Sequence, residues 1–397
     1  MRQERSAGAR SPLAGPAAPT LAVFSNIPDA RVLRAAADLQ AGADHLGVPC
    51  HPFVLDGPTM VHPHALEAAL WRLRPTIIVF LDLSPGALSF EPPPAAWFVL
   101  RTQALPVSAD WLRQLPSAVP LGVARQALRD QAVAAGLDAS RVLVFPPAAA
   151  PGLGISPGPR GSPILVLADG HDISAEAVGL HLASHCRLWE EAEEIIRRKC
   201  DTYDDDQAGS VFESAERRLG IRIDSQNVRD GLVSRIRQVL GPVLVRRAYC
   251  LALIEAGFNL DLYGGWTHDP ILAKYDRGAW PGPKAAAAAL SGHGAVVSLE
   301  TNGHPSAALL DGLGAGLIGL VRTHPADETA DGLASVLDPA SQVWRFDSRG
   351  SLARLIKAVQ STPQEFMPRA AAARAQVNQH HTWACRVSAI IQACQSS

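Results

Sequence analysis

The chain is poor in aromatic residues and nearly free of charge imbalance. Phe, Trp and Tyr make up 6% of its 397 residues, and 36 Lys plus Arg face 38 Asp plus Glu, for a formal net charge of −2. So weak a field gives no basic surface to attract nucleic acid or an anionic membrane. Cysteine is sparse as well. The six, at positions 50, 186, 200, 250, 385 and 394, form no C-x-x-C pair and no metal-ligand spacing. That excludes a disulfide scaffold and reads as reduced thiols serving as small apolar side chains, as in a cytoplasmic protein. No apolar run approaches the roughly 20 residues needed to cross a bilayer. The opening MRQERSAGARSPLAGPAAPT lacks the apolar segment of a secretory signal, and its Arg, Ala and Pro content reads as a disordered tail over residues 1–19. No repeat with a period of roughly 20–50 residues is evident. Neither α/β half carries G-x-G-x-x-G between its first strand and helix, which disfavours a dinucleotide-dependent oxidoreductase.

What is present is a globular composition, 47% apolar and 19% charged, in a chain long enough for two or three domains. From Leu21, short apolar strands alternate with helices: LAVFSN, then RVLRAAADLQAGADHLG, then PCHPFVLDG, HALEAALWRLR and PTIIVFLDL, which ends at Asp82. AAWFVLR and VPLGVA follow, then the helical QALRDQAVAAGLD and the strand RVLVFPPAA. Such alternation implies a parallel sheet covered on both faces, a Rossmann-like domain over residues 20–150. A Pro/Gly linker is expected at 151–163 and a strand at 164–170, opening a helix-rich segment that runs to 255. YDDDQ (203–207) marks a break between helices there and reads as a solvated acidic loop. Alternation resumes over 256–378 with FNLDLYG, AVVSLE, LIGLVR and QVWRFD, giving a second Rossmann-like domain before a final helix at 379–397. The expected class is therefore α/β: two Rossmann-like domains facing a cleft, a helix-rich segment between them, and a C-terminal helix crossing back.

The chemistry concentrates between Phe258 and Gly316. FNLDLYGGW ends a strand in Gly264 and Gly265, which let the backbone approach a ligand closely. AVVSLE ends at Glu300, and the turn through Gly303, His304, Pro305 and Ser306 opens a helix that carries Asp311. Pro is tolerated in a first helical turn. A strand, a Gly-rich loop and a helix N-terminus together make a holder for a phosphorylated ligand. Trp266 serves either as a packing residue or as a base-stacking one. In the first domain Asp82 ends its strand toward the presumed cleft, where it reads as a general base or as a cap of the following loop. His51, His62 and His64 are alternative bases there, and His171, just after the strand at 164–170, is expected to line the cleft as well.

Four segments resemble GT-B-type glycosyltransferases, closest to the CgeB-like, spore-maturation group: VRRAYCLALIEAGFNLDLYGGW, AVVSLETNGHPSAALLDGLGAG, GLDASRVLVFPPAA and HHTWACRVSAII. The resemblance implies transfer of a sugar from a nucleoside diphosphate sugar to a hydroxyl acceptor on a protein, lipid-linked carrier or glycan, with no cofactor and no metal. It also implies that Asp311 accepts hydrogen bonds from ribose hydroxyls, while Gly264, Gly265, Trp266, Glu300, Gly303, His304, Pro305 and Ser306 line the donor site. Asp82 is the candidate base. The chain departs from the pattern at Ala308, where relatives carry Arg, and at Asp311, where Glu is commoner. A non-catalytic nucleotide-sugar-binding or scaffold protein on the same fold is the alternative.

Overall fold

The computed structural model describes residues 19–25, 30–54, 63–83, 90, 92–102, 108–113, 115–116, 118–154, 162–180 and 182–396. Residues 1–18 of the expected tail, His62 and residues 155–161 of the expected linker lie outside them. In the first sheet the strands are β1 (Leu21–Ser25), β2 (Cys50–Val54), β3 (Ile77–Leu81), β4 (Ala96–Arg101), β5 (Leu121–Val123) and β6 (Val142–Val144). Their order is β2-β1-β3-β4-β5-β6, and every pairing is parallel. The helices between them are α1 (Ala30–His45), α2 (Pro63–Leu73), α3 (Ala109–Arg113) and α4 (Gln126–Ala134).

The alternation of a strand sorts these side chains to two faces. Ala22 and Phe24 pack with Leu66 and Leu70 of α2 on one side. Leu21 and Val23 pack with Val32 and Leu39 of α1 on the other. That second face is completed from far along the chain. The last helix, α14 below, brings Val387 and Ile390 into the same core, both fully buried.

The second sheet contains β7 (Ile164–Leu167), β8 (Leu260–Tyr263), β9 (Ala295–Ser298), β10 (Ile318–Arg322) and β11 (Trp344–Phe346), in the order β11-β10-β9-β7-β8, again all parallel. The strand expected at 164–170 is thus an inner strand of this sheet. The helix-rich segment after it is an elaborate crossover between two neighbouring strands rather than a unit between domains. It holds α5 (Ile173–Val178), α6 (Ala183–Arg198), α7 (Ala208–Leu219), α8 (Gln226–Arg235) and α9 (Gly241–Glu255). A π-helical turn, Ile236–Leu240, joins α8 to α9. Pro242 follows it, and a wider turn there absorbs the hydrogen bond that Pro cannot donate. Trp189, Ile196, Phe212, Val245 and Tyr249 of this crossover cover Ile164 and Val166. The remaining helices are α10 (Pro283–Leu290), α11 (Ala307–Ala315), α12 (Arg349–Ser361), α13 (Pro363–His380) and α14 (Trp383–Ser396). Leu310 and Leu313 of α11 and Val377 of α13 cover the opposite face, with Leu165 and Leu167.

The chain passes between the domains twice, and the two passages lie side by side. Ala149 pairs with Thr382 as a parallel bridge. The Ala149 N–H donates to the His381 carbonyl at 2.8 Å, and the Trp383 N–H donates to the Ala149 carbonyl at 2.9 Å. Arg386 ties α14 to the first passage by donating to the Pro146 carbonyl at 3.2 Å. Among the described residues no helix is long and apolar enough to cross a membrane.

Candidate functional site

In an open parallel sheet, ligands bind beyond the carboxyl ends of the strands, where the order reverses. In the second sheet that point lies between β7 and β9. The segments leaving those strands are Ala168 to His171 and Leu299 to His304. In the first sheet it lies between β1 and β3, and β3 delivers Asp82.

The β8 loop is folded inward. Gly264 lies so close to the β7 end that a Cβ on it would stand 1.8 Å from the Ala168 carbonyl oxygen. Its carbonyl accepts from the Gly170 N–H at 2.8 Å. Gly265 has φ +77°, the left-handed region that favours glycine. Trp266 is fully buried, and its Nε1 donates to the Ala168 carbonyl at 2.6 Å. It is a packing residue: the indole joins the β7 and β8 loops, which leaves no face for a base.

The β9 loop faces the β8 loop from the other side of the switch point, with its residues buried or half-buried. Glu300 pairs with Arg246 of α9 at 2.7 Å, and Arg246 also donates to the Asp169 carbonyl, so one guanidinium joins both sides of the switch point. Gly303, at φ +71°, passes against the His324 ring. The His304 N–H donates to Asn302 Oδ1 at 2.9 Å. Burial, aided by the Arg125 charge, lowers the His304 pKa to about 4, so the ring is neutral near pH 7. Pro305 precedes the helix rather than opening it. Ser306 is the N-cap of α11, accepting from the Leu309 N–H at 3.2 Å. The N–H groups of Ala307 and Ala308 then head the helix without an intrahelical acceptor.

Asp311 does not face the cleft. It is fully buried, and three elements hold it. Oδ1 accepts from the Ala150 N–H at 2.7 Å. Oδ2 accepts from Arg34 Nη2 at 3.0 Å and from Trp280 Nε1 at 2.9 Å. Arg34 also pairs with Asp38 at 2.7 Å and donates to the Pro281 carbonyl. The expected ribose contact is therefore corrected: Asp311 ties α1 of the first domain to the second. Burial raises its pKa, against the pull of Arg34 and the two N–H donors.

Asp82 adopts φ +51° at the end of β3. Its Oδ1 accepts from the Thr102 N–H at 3.1 Å and pairs with Arg101 at 3.4 Å, while Oδ2 accepts from the Thr102 hydroxyl. Both oxygens are thus engaged inside its own domain. His51 and His64 are exposed.

Four further residues meet at this cleft. Asp205, from the crossover, has its N–H on the Thr301 carbonyl at 3.1 Å. Burial raises its carboxyl pKa to about 6, with Thr301 and Arg246 pulling the other way. Arg125, just after β5, faces Asp331, Asp205 and Asp206 from the opposite domain, and burial lowers its pKa. Asp331 reaches across to cap α4, accepting from the Gln126 N–H at 2.6 Å and the Ala127 N–H at 3.1 Å. His324 is buried with Nε2 unpartnered. In the sequence only YDDDQ and the Arg-led helix marked any of this. Arg125 and Asp331 carry no local signal, since a cross-domain pairing makes them visible. Among the described residues no three His, Cys, Asp or Glu side chains are grouped as metal ligands.

Residues 243–392, from α9 into α14, match the family model described as glycosyl transferase-like. No curated protein sequence matches the chain. Among solved structures, HepE of Anabaena in complex with UDP-glucose aligns with a TM-score of 0.50 at 10% identity, over 95% of this chain and 100% of that one. A glycosyltransferase from Rickettsia africae ESF-5 gives 0.49 at 8% identity, over 96% and 98%. Sucrose-phosphate synthase from Thermosynechococcus elongatus gives 0.48 at 11% identity, over 95% and 98%. The fold is that of the GT-B type, and its residues 243–392 form a glycosyl transferase-like segment.

Proposed function

We propose that the protein is a glycosyltransferase, allied to the CgeB-like group, that moves a sugar from a nucleoside diphosphate sugar to a hydroxyl acceptor without a divalent metal. One observation carries this reading. The glycosyl transferase-like segment sets its β9 loop and the start of α11 at the switch point of the second sheet, facing the first domain across the cleft. Negative charge grows on the leaving diphosphate as the glycosidic bond breaks. The free Ala307 and Ala308 N–H groups and the helix dipole behind them favour that charge where it develops. The likeness to HepE, solved with UDP-glucose, makes uridine nucleotides the first to test.

A second reading has its own support. Asp82 already accepts from Thr102 and pairs with Arg101, which favours a nucleotide-sugar binder without turnover. One pair of experiments separates the readings. The full chain is screened by thermal shift against UDP, GDP, ADP, CMP and dTDP, where a ligand at 100 times its Kd adds about 2.7 kcal/mol. It is then incubated with UDP-glucose in EDTA. The enzyme releases UDP slowly without an acceptor; the binder is stabilised and releases none. A chain that no nucleotide stabilises is neither. Turnover abolished by EDTA and restored by Mg²⁺ or Mn²⁺ sinks metal independence.

A further inference from the structure

Arg125 is the N-cap residue of α4, on extended backbone just after β5, and it is half-buried. An arginine drawn out of water normally finds acceptors, because an unpaired buried charge costs free energy. Among the described residues the Arg125 guanidinium has neither an ion pair nor a hydrogen bond. Asp331, Asp205 and Asp206 of the second domain act on it only through their charge. Asp331 is already engaged, since its carboxylate accepts from the N–H groups of Gln126 and Ala127. Burial lowers the Arg125 pKa, in keeping with a cation short of partners.

Two ties fix where this guanidinium stands. The Asp331 carboxylate holds the Gln126 N–H at 2.6 Å, and the Asp331 backbone hydrogen-bonds the His304 ring. His304 in turn feels the Arg125 charge. Arg125 therefore reaches from the first domain to the β9 loop at His304, two residues ahead of Ser306, the N-cap of α11. The second domain holds an unspent donor beside the same residue. His324 is 5% exposed and acts electrostatically on His304. Its Nδ1 accepts from the Ala326 N–H at 3.0 Å, so the proton sits on Nε2, which has no partner among the described residues. Arg125, His324 and the free N–H groups of Ala307 and Ala308 thus gather donors around the start of α11. A donor set of this kind matches an oxyanion better than a hydroxyl, which donates as well as accepts.

We propose that Arg125 is a catalytic residue supplied by the first domain, whose guanidinium binds the β-phosphate of the donor opposite the start of α11. The proposal rests on the glycosyltransferase reading and adds to it the group that the first domain brings to the leaving diphosphate. The donor segment belongs to the second domain, so the acceptor meets the sugar from the first. A guanidinium entering from the first domain therefore meets the phosphate joined to the sugar. When the bond between the sugar C1 and the β-phosphate oxygen breaks, its electron pair stays on that oxygen. The acceptor hydroxyl, or water in its absence, bonds C1 and releases its proton to solvent. Arg125 and the α11 N–H groups share the added negative charge. Because they come from different domains, the site is complete only when the cleft is closed.

Calorimetry on the full chain with UDP and UMP tests it, alongside the release of UDP from UDP-glucose. Arg125→Gln should weaken UDP about tenfold, as expected for losing a hydrogen bond to a charged group, and leave UMP within about twofold. Its UDP release at saturating UDP-glucose should fall about a hundredfold. Arg125→Lys keeps the charge and loses the fork, and should recover part of both. Small-angle scattering of Arg125→Gln without ligand should match that of the wild type. Equal weakening of UDP and UMP, or a larger radius of gyration in the free variant, would make Arg125 a latch held by Asp331, Asp205 and Asp206 and overturn the proposal. Unchanged UDP affinity would overturn it as well. A wild type that binds UDP without turnover sinks the enzyme reading and a catalytic role for Arg125, while the comparison of UDP with UMP still decides whether it binds the β-phosphate. A wild type that binds neither probe sinks the functional reading and this one with it.

Discussion

A single guanidinium decides the most consequential residue here. Asp311 stands where a ribose-binding carboxylate would, and nothing local in AALLDGLGAG shows otherwise. Arg34, 277 positions earlier, makes it structural. Arg34 also holds Asp38, so two buried carboxylates share one positive charge. Burial lifts the Asp38 pKa to about 7, against the pull of Arg34. Between roughly pH 4 and 7 the folded chain keeps a proton there that the unfolded chain releases, so stability from this group falls as pH rises through that window. Asp38→Asn, which mimics the protonated acid, should therefore gain in melting temperature relative to wild type as pH goes from about 4 to about 7. The buried histidines His304 and His381 titrate in both proteins and cancel in the difference. A difference that does not change with pH would place the proton elsewhere.

Elements were more legible than residues, because periodicity is local and pairing is not. Unbroken apolar runs in IIVFL and AVVS mark strands buried on both faces without any structure. Nothing in ILVL says that it lies between β8 and β9, since that depends on partners about a hundred residues away. Trp383, Val387, Ile390, Ile391 and Cys394 recur at helical spacing, and α14 packs them against the first sheet. The break before it, at His381 and Thr382, was not visible, because Ala149 imposes it. Ile390→Ala should cost about 2–5 kcal/mol in urea unfolding. An unchanged midpoint would show that the helix contributes nothing to the core. In the β9 loop the sequence marked a segment that leaves the second sheet at its switch point. Which of its side chains face the cleft was set by α9 and the crossover, through Arg246 and Asp205.

At the scale of the molecule, the domains are joined at separate places. The paired passages and the Asp311–Arg34 pair form one joint, and Asp331 on the α4 N-terminus forms another. The second is a charge against a helix dipole, a contact worth on the order of 1 kcal/mol and weakened by salt. Asp331→Ala should lower stability by about that much and increase the radius of gyration in small-angle scattering, as the cleft spends more time open. Identical scattering from both proteins would show that Asp331 does not restrain the cleft.

Because α14 belongs to the core of the first domain, translation runs against the architecture. The strands carrying Leu21, Val23, Ile77 and Val79 leave the ribosome before the second domain, but the helix that covers part of their face follows it. The second domain can finish folding while the first still presents a bare apolar sheet. During synthesis the first domain is therefore exposed to aggregation and dependent on chaperones until α14 emerges and completes it.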